Sequence, residues 1–186
     1  AFREAVTLSR RALRALESLP ENATRMQVEL GLQLILGLSL RSIQGWAAPD
    51  VEKPYLRARQ ICQQLGNAPE LFPVLWGLTL FHAIRGDLRV FETLAEQLMQ
   101  QANETANPAN LVAAHQMMAS VNEFLGHTVR SNEHAEKALA LHHPDQHLSF
   151  ISRFGLDPGM IVRALSVRPL WFLGYPDQSL SRIQAT

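Results

Sequence analysis

Apolar residues in this chain return at spacings of three and four, and no stretch shows the two-residue alternation of a half-buried strand. Phe2, Ala5, Ser9, Ala12, Leu13 and Leu16 share one face of a helix predicted over residues 1–19 and ended by Pro20. The pattern predicts further helices over 22–44, opened by Asn22 and closed at Gly45, and over 50–66, with Asp50 as N-cap and Gly66 just past the end. Others are predicted over 69–85, 88–105, 108–125 with Pro108 at its first position, 128–142, 158–173 behind Asp157 and Pro158, and 176–184. Residues 143–157 are long for a helix connection, and their Leu148, Phe150, Ile151 and Phe154 predict a loop or short turn that packs down. Pro169 removes a backbone donor inside its helix and predicts a kink near Leu165.

The helices are of two kinds. The segment Leu71, Phe72, Val74, Leu75, Trp76, Leu78, Leu80, Phe81 is apolar nearly all round and must be packed on several sides. The segment after Gly86 has one stripe, Phe91, Leu94, Ala95, Leu98 and Ala102, with Glu92, Glu96 and Gln100 facing away. Three glycines punctuate this alternation: Gly86, Gly126 and Gly174 are followed nine residues later by Ala95, Ala135 and Ile183. An apolar helix precedes each and a more polar one follows, as in stacked helical hairpins that bury their apolar faces only against neighbours. Such a pattern predicts a binding surface rather than a catalytic pocket.

In this alignment small residues fall where the second helix of each pair crosses the first: Ala95, Ala135 with Ala138, and Ser179. Leu78 and Met118 fall at a core leucine position, and Thr79 and Ala119 at a close-approach position. The hairpins resemble degenerate tetratricopeptide repeats, with approximate units 1–20 (partial), 22–66, 69–106, 108–157 and 158–186 (partial). The repeat runs to 40 or 48 residues between glycines, Phe91 stands at a usual alanine position and Pro54 at another. The resemblance implies an all-α fold, a right-handed α–α superhelix of antiparallel helix pairs. It also implies a chain that starts inside one repeat and stops inside another, with self-association through the cut ends as a consequence.

A second resemblance covers nearly the whole length. It rests on Ala47-Ala48-Pro49-Asp50-Val51, Tyr55-Leu56-Arg57-Ala58-Arg59, Leu71-Phe72-Pro73-Val74-Leu75-Trp76-Gly77-Leu78, Ala95-Glu96-Gln97-Leu98, Asp157-Pro158-Gly159 and Leu173-Gly174-Tyr175-Pro176-Asp177-Gln178. These phrases are similar to the helical-repeat region of large bacterial signalling ATPases that often carry an adenylate or guanylate cyclase or a protein kinase domain. The resemblance implies a cytoplasmic, sensory or protein-binding module beside the ATPase.

Composition narrows the partner. Lys and Arg number 17 and Asp and Glu 17, so the chain lacks the basic excess a nucleic-acid face requires. The longest apolar run, Leu30 to Leu40, is broken by Gln33 and Ser39 and falls short of the roughly 20 residues of a membrane span. Cys62, the only cysteine, excludes an intrachain disulfide, which fits a reducing compartment; its place beside Ile61 and Leu65 predicts a buried thiol.

No phosphate-binding glycine loop, His-Glu-x-x-His or nucleophile elbow occurs, so no enzymatic activity or cofactor is expected. His142, His143, Asp145 and His147 form the densest titratable cluster. Adjacent histidines at a helix end diverge, so a solvated helix terminus is favoured over a metal site. His82 and His115 read as hydrogen-bonded histidines of inner helices, and Trp46 as a loop anchor.

The repeat alignment places Trp76, Leu80, Gln116, Ser120, Glu123, Arg168 and Trp171 along the concave groove, where mixed polar and aromatic character suits a peptide. For Trp76 and Trp171, core packing is the equal alternative. The expected function is therefore a non-catalytic protein-interaction or regulatory module. It would take a peptide segment or a neighbouring domain of its own chain. The alternative is a small-molecule effector domain with a pocket between inner helices.

Overall fold

Asn22, Asn107 and Asp157 each open a helix by accepting hydrogen bonds from backbone N–H groups that have no intrahelical partner. The Asn22 side chain accepts from the Arg25 amide at 2.9 Å, that of Asn107 from Ala109 and Asn110 at 3.0 and 3.2 Å, and that of Asp157 from Gly159 and Met160 at 2.9 and 3.3 Å. The computed structural model describes residues 1–66 and 68–184, and all regular elements among them are helical. The chain divides into two units, Ala1–Arg85 and a second that begins at Gly86.

The first unit holds α1 (Phe2–Leu16), α2 (Ala23–Gln44), α3 (Pro49–Leu65) and α4 (Leu71–Arg85). Short connections fold each helix back on its predecessor, so α1 packs on α2, α2 on α3 and α3 on α4. Tyr55 of α3 is the hinge of this packing: its ring fits against Gly37 of α2 and Gly77 of α4. A Cβ on Gly37 would lie 2.9 Å from the ring, and one on Gly77 would overlap it. Between the same helices, Arg57 grips Glu29 through two parallel hydrogen bonds of 2.6 and 3.0 Å.

The glycine contacts give a prediction of opposite signs. Gly31, also inside α2, has nothing within 4 Å of its would-be Cβ. Gly31→Ala should stabilise by roughly 0.5–1 kcal/mol, as an unstrained helical Gly→Ala does. Gly77→Ala should destabilise by about 1–3 kcal/mol, because the methyl meets a ring wedged between two helices. Urea unfolding of the two variants checks this; stabilisation by both would mean that Tyr55 does not sit where the fold puts it.

The second unit holds α5 (Leu88–Thr105), α6 (Pro108–Phe124), α7 (Thr128–Leu141), a 3-10 turn (Pro144–Gln146), α8 (His147–Phe154), α9 (Pro158–Leu165), α10 (Val167–Phe172) and α11 (Pro176–Gln184). Here α6 is the centre, packed by α5, α7 and α9, and α10 packs on α11. Ala119, Ala135, Ala138 and Val162 form a cluster of small side chains where α6, α7 and α9 meet.

Two turns of this unit repeat bond for bond at an offset of 48 residues. Gly126 and Gly174 take positive φ of +78° and +85°, a region favourable only to glycine. Leu125 N–H donates to Val121 O as Leu173 N–H does to Pro169 O, Gly126 to Glu123 as Gly174 to Trp171, and His127 to Asn122 as Tyr175 to Leu170. Beyond each turn a buried serine hydroxyl reaches back twelve residues to the preceding helix: Ser131 to Ala119 O at 2.8 Å, Ser179 to Val167 O at 2.9 Å. At Gly126 and Gly174 the glycine spacing in the sequence therefore marks a shared local geometry, while Gly86 shares with them the positive φ, at +77°.

Three boundaries differ from expectation. Helix α3 begins one residue earlier than predicted, with Ala48 at the cap and Pro49 first in the helix, and Asp50 lies in its first turn, bonded to Lys53. The fixed φ of Pro49 favours that earlier start. The expected loop 143–157 is mostly helix, because Phe150 and Phe154, one turn apart, both find the core while Leu148 stays exposed. The predicted helix 158–173 is two helices broken at Ser166, where Pro169 leaves the Leu165 carbonyl without its donor. The last predicted repeat unit, 158–186, extends through Ala185 and Thr186, which lie outside the described residues.

Candidate interaction surface

Glu123 and Trp171 stand at equivalent points of the two repeated turns, and so do Ser120 and Arg168, each pair 48 residues apart. Arg168, exposed on α10, donates from Nε to Glu123 Oε1 at 2.7 Å. The Glu123 side chain is mostly buried; burial pushes its carboxyl up, and the adjacent Arg168 charge opposes that shift. One turn beyond Arg168, Trp171 is 57% exposed, and Phe172 beside it 72%. Tyr175, after the Gly174 turn, is exposed as well. Three exposed aromatic side chains thus follow Arg168 within seven residues of chain, and rings beside a charged pair are the kind of side chains that anchor peptides.

The other predicted groove residues are placed differently. Gln116 and Ser120 are buried and bonded to each other, Nε2 to Oγ at 3.1 Å, with the hydroxyl donating to the Gln116 carbonyl. Trp76 and Leu80 belong to the first unit, where Trp76 is 1% exposed and Leu80 half-buried. Phe172 and Tyr175 were not distinguishable from core aromatics in the sequence. Phe172 lies at the end of α10 and Tyr175 just past the Gly174 turn.

The titratable clusters resolve into hydrogen-bond networks. His142, expected at a solvated helix end, is buried, stacked on Phe150 at 5.7 Å between ring centroids. Its Nε2 lies 3.1 Å from Asp157 Oδ1, and His147 Nδ1 lies 2.8 Å from Asp157 Oδ2. Asp157, ten and fifteen residues downstream, thus joins these histidines as well as capping its helix. His143 and Asp145 point to solvent and take no part. On α6 and α7, His115 and His134 face each other Nδ1 to Nδ1 at 2.9 Å. Burial, with the charges of His134 and Lys137, lowers the His115 pKa to about 4. His82 Nε2 lies 3.4 Å from Glu52. Cys62 is buried, and burial with the charge of Glu70 pushes its thiol up to about 11, away from the thiolate form at neutral pH. In the connection after α2, Arg41 stacks over Trp46 at 4.3 Å.

Among the described residues, no group of three or more His, Cys, Asp or Glu could hold a metal ion, and no helix is long and apolar enough to cross a membrane. Comparison with protein-family models, with curated proteins and with solved structures finds no match to this chain.

Proposed function

We propose that this chain is a non-catalytic interaction and regulatory module, a right-handed superhelix of helix pairs resembling tetratricopeptide repeats, within a larger cytoplasmic signalling ATPase. It takes a peptide segment, or a neighbouring ATPase, cyclase or kinase domain of its own chain. The observation that carries this reading is the turn repeated bond for bond at Gly126 and Gly174. Repeated hairpins present equivalent side chains at regular intervals, and a surface built that way reads an extended partner rather than enclosing a small substrate.

Within the second unit the contact centre is the Glu123–Arg168 pair with Trp171. Arg and Trp are the residues that most often dominate such interfaces, each costing about 2 kcal/mol or more on truncation. An Arg168→Ala/Trp171→Ala variant should therefore keep its helix content and lose about 30-fold or more in affinity for its partner. Binding is measured by titration against the isolated ATPase, cyclase or kinase domain of the parent protein. Equal affinity of variant and wild type would remove the surface from the reading. Binding by neither would favour the small-molecule effector alternative.

A further inference from the structure

We propose that the outer face of α1 docks a second copy of this chain, receiving the acidic face of that copy's α5. The chain as a whole is neutral, but its charge is unevenly spread. Residues before Gly86 carry ten Lys and Arg against seven Asp and Glu, and those from Gly86 onward carry seven against ten. The positive excess sits on α1, where Arg3, Arg10, Arg11 and Arg14 are exposed and Glu4 is the one acidic residue. Among the described residues, none of these four arginines forms an ion pair. A face of opposite sign lies on α5, where Glu92, Glu96 and Glu104 are exposed and Arg89 is the one basic residue.

The two faces also match in spacing. Arg3, Arg10 and Arg14 share one side of α1 at intervals of seven and four residues, about 10.5 and 6 Å along its axis. Read in the opposite direction, Glu104, Glu96 and Glu92 lie eight and four residues apart, about 12 and 6 Å. An antiparallel approach therefore sets Arg3 against Glu104, Arg10 against Glu96 and Arg14 against Glu92, within the reach of these long side chains. A parallel approach sets an interval of about 10.5 Å against one of about 6 Å and loses register after the first pair. The glutamates follow an i, i+4 ridge inclined by about 26° to the helix axis, which sets the two helices crossing at about that angle.

Because the paired faces differ, the association is head-to-tail: it closes as a pair that makes the contact twice, or it runs on into longer assemblies. The opposing charges are Glu4 on α1, Arg89 on α5, and Arg130 on the wall of the cleft that Glu92 and Glu96 also line. Exposed ion pairs are individually weak and screened by salt, so the contact is reversible and confined to low ionic strength. It uses none of Glu123, Arg168 and Trp171, and stands or falls apart from the peptide surface.

The test is sedimentation equilibrium of the whole chain. In about 10 mM salt the mass should rise with protein concentration, and in about 1 M salt the monomer should return, since the screening length falls from about 30 Å to about 3 Å. This readout needs no variant. Arg10→Glu/Arg14→Glu and Glu92→Arg/Glu96→Arg should each keep their helix content and weaken association by about tenfold or more. An equimolar mixture of the two should recover it, because each reversed face then meets a face of opposite sign on the other variant. A chain that is monomeric at both salt concentrations, association that survives about 1 M salt, or reversed variants that fail to recover when mixed would overturn the proposal. So would capture by phosphatidylserine vesicles of a chain that stays monomeric, which would give α1 to a lipid surface.

Discussion

Trp76→Ala should cost about 3–5 kcal/mol, a large part of the 5–15 kcal/mol that holds a typical domain together. Trp76 is among the largest fully buried side chains of the chain, on a helix whose Phe72, Leu75, Leu78 and Phe81 are buried too. Truncation removes the transfer free energy of an indole and leaves a cavity that neighbours on several sides cannot fill. Melting should fall by about 6–20 °C for a chain of this size, since each kcal/mol shifts the midpoint by about 2–4 °C. Trp171→Ala, by contrast, should move stability by about 0.5 kcal/mol or less, because an exposed ring leaves no cavity. Calorimetric melting of both variants decides it. A loss below about 1 kcal/mol for Trp76 would mean that its ring is displayed rather than packed.

The contrast between these two tryptophans shows where reading the sequence stops. Helix positions were legible because their causes are local: Asn22 and Asp157 cap, Pro108 opens, and positive-φ glycines close. Residues 88–105 and 176–184 form the predicted helices end to end. Which face of an all-apolar helix meets solvent is not local. Trp76 and Trp171 both precede a glycine turn, yet one lies in a core and the other on an uncovered surface. Breaking the predicted helix 158–173 at Ser166 gives α10 its own start, and on it Pro169 and Leu170 are buried while Trp171 and Phe172 are exposed. The partners of His115 and His142 were invisible for the same reason. His115 and His134 are nineteen residues apart, and Asp157 is fifteen from His142, so only the packing of α6 on α7 and of α7 on α9 brings them together.

Asp157 is the second point where a single side chain carries several contacts. One oxygen holds the first turn of α9, and the carboxylate also receives His142 and His147. Gly159 has no side chain, which leaves room for the His142 ring; a Cβ there would overlap it. Asp157→Ala removes a cap, worth about 0.5–2 kcal/mol, and strands a buried histidine, so a total loss of about 3–5 kcal/mol is expected. Asp157→Asn keeps an acceptor for the cap, since Asn caps as well as Asp, and removes only the charge. Its loss should be smaller, and acid should separate the two contributions. Burial alone would raise the Asp157 carboxyl, but hydrogen bonds from His147 and His142, the charge of His142 and the Met160 amide outweigh it and hold the group below its ordinary 3.8. A carboxylate depressed in the folded state stabilises it fully above the unfolded value and loses that contribution as the pH falls through the folded one. The stability gap between wild type and Asp157→Asn should therefore hold steady down to about pH 4 and shrink below it. Urea midpoints of both proteins measured from pH 6 to pH 3 test this. A gap that stays constant below pH 4 would show that the charge of Asp157 does not contribute to the junction of α7, α8 and α9.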